Sequence, residues 1–126
     1  METQAYFENI QTQIQERLAS AEKEIDLAVA WFTDRVLFKT LCKKAASGVR
    51  VRLLMFDDDI NAQNLPFDEL TNSGGKIFRL SKILMHNKFC VIDRAVVMTG
   101  SYNWTSKANS DNYENITVTS YKYSRQ

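Results

Sequence analysis

Three times in its first 80 residues the chain passes from a helical stretch into a short apolar run with few residues between, and this alternation constrains the fold most. Over residues 5–23, Tyr6, Ile10, Ile14, Leu18 and Ala21 recur at three- or four-residue spacing, with Gln and Glu between them, which predicts an amphipathic helix. Glu24 to Phe32 is rich in Ile, Val and aromatics and reads as a strand buried on both faces, with Trp31 and Phe32 in the core. Thr33-Asp34 is a helix start for 34–46, whose apolar face is Val36, Leu37, Leu41 and Ala45. Lys43 and Lys44 suit its last turn and Gly48 closes it. Val49 to Phe56 is a second strand. Asn64 to Asn72 is a short third helix, with Pro66 in its first turn and Gly74-Gly75 just past its end, and Lys76 to Leu80 is a third strand. The pattern predicts an α/β sandwich: a mixed, largely parallel sheet flanked by helices.

Further on, residues 87–92 alternate, Asp93-Arg94 makes a tight turn into Ala95 to Thr99, and Ile116 to Ser120 offers a last strand; the first two form a β-hairpin. At 126 residues this is a single domain, 1–126, with a core of useful size. A hydrophobic content of 44% and a charged content of 25% are those of a soluble globular protein. The net charge of +1 argues against a strongly basic nucleic-acid binder but leaves room for a local basic groove. The candidates for such a groove, Lys39, Lys43, Lys44, Arg50, Arg52, Lys82 and Lys107, are scattered along the chain. No stretch is apolar for anything near about 18 residues, so no membrane insertion is expected. The first residues lack the basic and apolar regions of a secretory leader, so the chain reads as cytoplasmic.

Cys42, in a helix, and Cys90, in a buried strand, read as reduced core thiols. With one histidine and no paired cysteines, a transition-metal site has little to work with. The run Asp57-Asp58-Asp59 reads as a solvated loop with helix-capping duty rather than a divalent-metal site.

The chemistry concentrates between Met85 and Glu114. His86 is the only histidine, and Lys88 lies two residues on. On a strand that spacing puts both side chains on one face, about 7 Å apart along the backbone. An imidazole can then attack or protonate while an ammonium holds the same anion. Asn103 can give its amide to a phosphate oxygen, so that Lys88 and Asn103 clamp a pentacoordinate phosphorus, with a further hydrogen bond from Ser101. A nucleophilic histidine needs one nitrogen free and the other held by an acceptor, and Glu114 is the best candidate for that acceptor. Asp93, by alternation, points away from His86 and Lys88 and reads as structural, closing the turn. Tyr102 and Trp104 can stack on bases, although aromatics beside such a strand more often pack in the core or rim.

The set His86-x-Lys88-x4-Asp93, Gly100-Ser101-x-Asn103 and Glu114-Asn115 resembles the phospholipase D superfamily, most closely its small bacterial endonuclease-like branch with one motif per chain. The likeness runs from the first helix to about Ser120. It implies phosphodiester transfer, an orienting role for Glu114, and a position near the substrate for the Asp57–Asp59 loop. Cleavage through a covalent phosphoenzyme needs both a nucleophile and an acid for the leaving oxygen, and one chain supplies one histidine. Two copies across a two-fold axis solve this, and the resemblance implies the same: a symmetric homodimer with the site at its interface. No metal or other cofactor is required, since Lys88 and Asn103 of both chains supply the positive potential. The expected activity is that of a nuclease with little sequence preference on DNA or RNA. A phospholipase D-type lipid hydrolase is the alternative; it would want an apolar surface or an anchoring helix, and neither is visible. A third reading is a non-catalytic nucleic-acid-binding module on the same fold, for which a broken motif would be the sign. Members of the family continue into a further helix that packs on the sheet. Tyr121 to Gln126 stops abruptly, so the chain reads as truncated or cut from a longer one with further domains.

Overall fold

The computed structural model describes residues 1–121, apart from the side chains of Ala62 and Gln63. The elements follow in the order β1 (Glu2–Tyr6), α1 (Ile10–Ala19), β2 (Glu24–Val29), α2 (Arg35–Ala46), β3 (Arg50–Phe56), α3 (Asp59–Asn64), α4 (Phe67–Asn72), β4 (Lys76–Leu80), β5 (Lys88–Ile92), β6 (Val96–Gly100), α5 (Ser106–Ser110) and β7 (Ile116–Ser120). The end of the chain from Lys122, part of the expected abrupt stop, lies outside the described residues.

The strands form one mixed sheet in the order β1-β7-β6-β5-β2-β3-β4. The α/β architecture is as expected, but parallel pairing is confined to β2-β3-β4, where helices carry the chain back between strands. The other four pairings are antiparallel. Asp93 and Arg94, both at φ 55°, make the tight turn of the β5–β6 hairpin, and such a turn can only join antiparallel strands.

Two helices depart from the sequence reading. The predicted helix 5–23 is α1 alone; residues 2–6 pair instead with β7, which satisfies their backbone groups across the sheet. Asn9, at φ 53°, separates the two elements. The predicted helix 64–72 is α4 alone, because Pro66 holds Leu65 extended at φ −126°, ψ 148°, away from helical geometry, and an unpredicted helix, α3, precedes it.

Helices α1, α2 and α4 cover one face of the sheet. Ile25, Leu27 and Val29 of β2, Val51, Leu53 and Met55 of β3, and Cys90 and Ile92 of β5 are buried there against Ile14, Leu18, Leu37, Leu41 and Leu70. Each such aliphatic side chain contributes about 1.5–3 kcal/mol by leaving water. The opposite face carries ion pairs, Arg52 to Asp26 at 2.7 Å and Arg50 to Glu24 at 2.6 Å, beside the exposed Phe78 and Phe89. β2 is therefore buried on both faces only toward Ala28 and Val29, not along its whole length. Cys42 and Cys90 are free thiols; burial pushes that of Cys90 far up, so it stays protonated and inert.

Candidate active site

The C-terminal ends of β2, β3, β4 and β6 and the N-terminal ends of β5 and β7 meet at one edge of the sheet. The carboxyl edge of parallel strands is where open α/β sheets bind ligands. Every residue of the motif except Asp93 is delivered to this edge.

Lys88 opens β5, in register with Val29, and the pairing extends one step further through the Ala30 N–H bond to the Asn87 carbonyl at 3.1 Å. This sets His86 on an exposed segment just outside the strand. The Lys88 ammonium lies 3.2 Å from Nε2 and 3.3 Å from Nδ1 of His86, and donates to the His86 carbonyl at 2.8 Å. An ammonium can only donate, so the imidazole nitrogen it serves is the one with the lone pair. Burial lowers the Lys88 pKa below the ordinary lysine value, and the Glu114 charge works against that shift.

Asn103 is oriented by the backbone. Its Oδ1 accepts from the Trp31 N–H at 3.3 Å, which leaves Nδ2 as the end with hydrogens to give. Ser101 pairs with Asn115 twice: its N–H donates to the Asn115 carbonyl at 3.0 Å and its Oγ accepts from the Asn115 N–H at 3.1 Å. Gly100, opposite Ile116, lets β6 and β7 come this close, since a Cβ there would collide with the Asn115 carbonyl oxygen and lie 2.8 Å from the Ile116 Cα. Glu114 accepts from Asn112 at 3.4 Å and lies within electrostatic reach of Lys88. Among the described residues, the polar contacts of the His86 ring are with Lys88, and Glu114 makes no hydrogen bond to it.

Asp93 sits at the far end of β5. Its carboxylate accepts from the N–H groups of Glu22, Lys23 and Glu24 at 2.7–2.9 Å. Burial pushes its pKa up, but these donors outweigh that and hold it below the usual carboxylate value. It ties the hairpin to the start of β2.

Trp31 is a correction to the sequence reading. It is only half-buried, whereas Phe32 is fully buried as expected. The strand ends at Val29, and beyond it the chain is held by side-chain amides: Asn61 donates to the Ala30 carbonyl at 2.8 Å and accepts from the Phe32 N–H at 2.9 Å. Trp31 thus faces the site, its ring 5.7 Å from that of His86 and nearly perpendicular to it. Asp58 caps α3 through Asn61 N–H, as its composition predicted, and also accepts from the Trp31 indole N–H at 2.7 Å. Tyr102 and Trp104 are buried in the core. The capping duty expected of the acidic run is met at Asp58, whereas Asp59 opens α3 instead of lying in a loop. Beside Trp31 and Asn103 opens a cavity of about 440 Å3, also lined by Ile60, Lys107 and Asn112. Of the scattered basic residues, Lys107 reaches this edge, whereas Arg50 and Arg52 are engaged in ion pairs on the open face.

The family model described as "cardiolipin synthase, PLD-like domain" matches residues 14–125. The mitochondrial cardiolipin hydrolase of Chlamydomonas reinhardtii is 33% identical over 105 residues, 82% of this chain and 47% of that protein. That of Xenopus tropicalis is 35% identical over 103 residues, 81% of this chain and 49% of that protein. The chain thus spans about half the length of the curated relatives it matches. Among solved structures, the phospholipase D family member Nuc from Salmonella typhimurium superposes with a TM-score of 0.84 at 24% identity, over 95% of this chain and 83% of that one. NucT from Helicobacter pylori gives 0.85 at 20% identity, over 94% and 85%. With its motif assembled at the carboxyl edge of the parallel strands, the chain belongs to the phospholipase D-like family.

Proposed function

We propose that the chain is a metal-independent phosphodiesterase that works through a phosphohistidine on His86, with two copies forming the site, and that it cleaves nucleic acid with little sequence preference. The observation that carries this is the contact of the only histidine with Lys88 at an exposed edge, with Asn103 bonded to the backbone of Trp31, whose ring meets that of His86. In the first step a ring nitrogen of one His86 attacks phosphorus and the P–O bond to the leaving group breaks. The partner copy's histidine gives its proton to the departing alkoxide. It then takes a proton from water, which attacks phosphorus, breaks the P–N bond and frees His86. Lys88 and Asn103 stabilise the charge that builds on the phosphoryl oxygens.

Two features support pairing of two copies at this edge. Each chain brings one histidine, and the apolar Ile83 and Leu84 just before it are exposed, as is Tyr113 beside Glu114. Apolar side chains gathered around an incomplete site suit a symmetric interface.

A second reading, hydrolysis of a phospholipid diester, is favoured by the cardiolipin hydrolases that are 33–35% identical. No helix among the described residues is long and apolar enough to cross a membrane. The two readings separate in one assay: single- and double-stranded DNA, RNA and cardiolipin vesicles, each with EDTA, with the parent protein and His86→Ala. Cleavage of nucleic acid that survives EDTA and is lost with His86→Ala is the expected result. Turnover of cardiolipin alone selects the second reading, and dependence on a divalent ion overturns the mechanism.

A further inference from the structure

The cavity beside Trp31 has no part in the reaction as described, yet it shares Trp31 and Asn103 with the candidate site. Trp31 and Asn103 line it, Trp31 also touches the His86 ring, and Asn103 belongs to the phosphoryl clamp. A group attached to a phosphorus held between His86 and Asn103 would border the cavity. Its volume of about 440 Å3 is within the range of small-ligand pockets.

The walls suggest what fits. Trp31 offers a π-surface that is held in place rather than free to turn, because its indole N–H is bonded to Asp58, itself fixed as the cap of α3. Ile60, on the first turn of α3, adds an apolar side. Ala108 extends the apolar wall, and Asn103, Asn112 and Lys107 add polar groups to a lining that is otherwise mainly apolar. A flat ligand with apolar faces, a polar edge and a neighbouring negative charge matches all of these at once. An acyl chain would use the apolar walls but neither the Asn103 amide nor the charge of Lys107.

We propose that this cavity is a nucleotide subsite, in which the base next to the cleaved phosphate stacks on Trp31 and the next phosphate along meets Lys107. The inference rests on the nuclease reading and adds a preference for single strands, since a base must leave its duplex stack to lie on Trp31. Sequence preference stays weak, because every base has a π-face.

The test uses a single-stranded oligonucleotide and the same oligonucleotide with one abasic position, each cleaved by the parent protein, Trp31→Ala, Trp31→Phe and Lys107→Gln, with cleavage mapped to the phosphate beside that position. The subsite predicts that the parent cuts beside the base about tenfold better in kcat/KM than beside the abasic position, and that Trp31→Ala abolishes this preference. Trp31→Phe keeps a ring without the Asp58 bond and retains most of the preference. Lys107→Gln lowers the steepness of the salt dependence by about one phosphate contact. A Trp31→Ala variant that still prefers the base as the parent does, or that loses activity equally on both substrates, overturns the subsite and leaves the nuclease reading standing. A parent that cuts no nucleic acid but hydrolyses cardiolipin overturns both.

Discussion

At the scale of single residues, the pair His86 and Lys88 has a pH dependence that can be stated in advance. Lys88 must be charged to hold the phosphoryl oxygens, so activity is present below its pKa and is lost as pH rises through it. Burial has lowered that pKa and Glu114 partly opposes the shift. The alkaline limb of kcat/KM therefore falls below the ordinary lysine value of about 10.4. Glu114→Gln moves the limb to still lower pH, which a pH–rate profile of the two proteins checks. If Glu114 instead orients His86 once substrate arrives, the variant also lowers the plateau. Asp93 works in the opposite sense. Its folded pKa is depressed, so the stability it contributes is complete above the unfolded value of about 3.9 and is lost as pH falls through the folded one. Asp93→Asn is expected to cost about 1–2 kcal/mol at pH 7 in urea unfolding, with the gap to the parent closing in acid.

At the scale of elements, Gly100 decides how β6 and β7 meet. Gly100→Ala places a methyl group against the Asn115 carbonyl and Ile116. The strands must then separate and carry Ser101 and Asn115 with them. A loss of about 2 kcal/mol or more and of most activity is expected, read by thermal unfolding and by cleavage rate. This level also shows what a sequence can reveal. β2, α2, β3, β4 and the hairpin were legible because period and caps agree in each, and Asp34 caps α2 as its position suggested. β1 was not legible: its partner β7 lies more than 100 residues away, and locally Tyr6 continues the helical spacing of Ile10 and Ile14. α3 was hidden behind an acidic run that reads as solvent-facing, and α5 is too short for a period to declare itself. The motif residues were visible as a spacing. Trp31 was not, because one aromatic at the end of an apolar run gives no sign that the strand stops two residues earlier and that Asn61 and Asn103 turn the backbone there.

At the scale of the whole molecule, the sheet has two unequal faces and one edge where the motif gathers. Helices bury the first face, the second keeps its ion pairs and exposed Phe78 and Phe89, and the edge gathers His86, Lys88, Ser101, Asn103 and Glu114. If that edge is also where two copies meet, Leu84→Glu is expected to shift the protein from dimer to monomer in sedimentation and to lower activity at dilute protein concentrations in step.

The most direct test of the account is to trap the covalent intermediate. A phosphodiester labelled with 32P is mixed with the protein and quenched in alkaline denaturant, where a phosphorus–nitrogen bond survives. The account predicts label on the protein that is stable to base, released by acid, located on the peptide holding His86 and absent from His86→Ala. Rapid cleavage by the parent with no label retained, or label on any other residue, would contradict it.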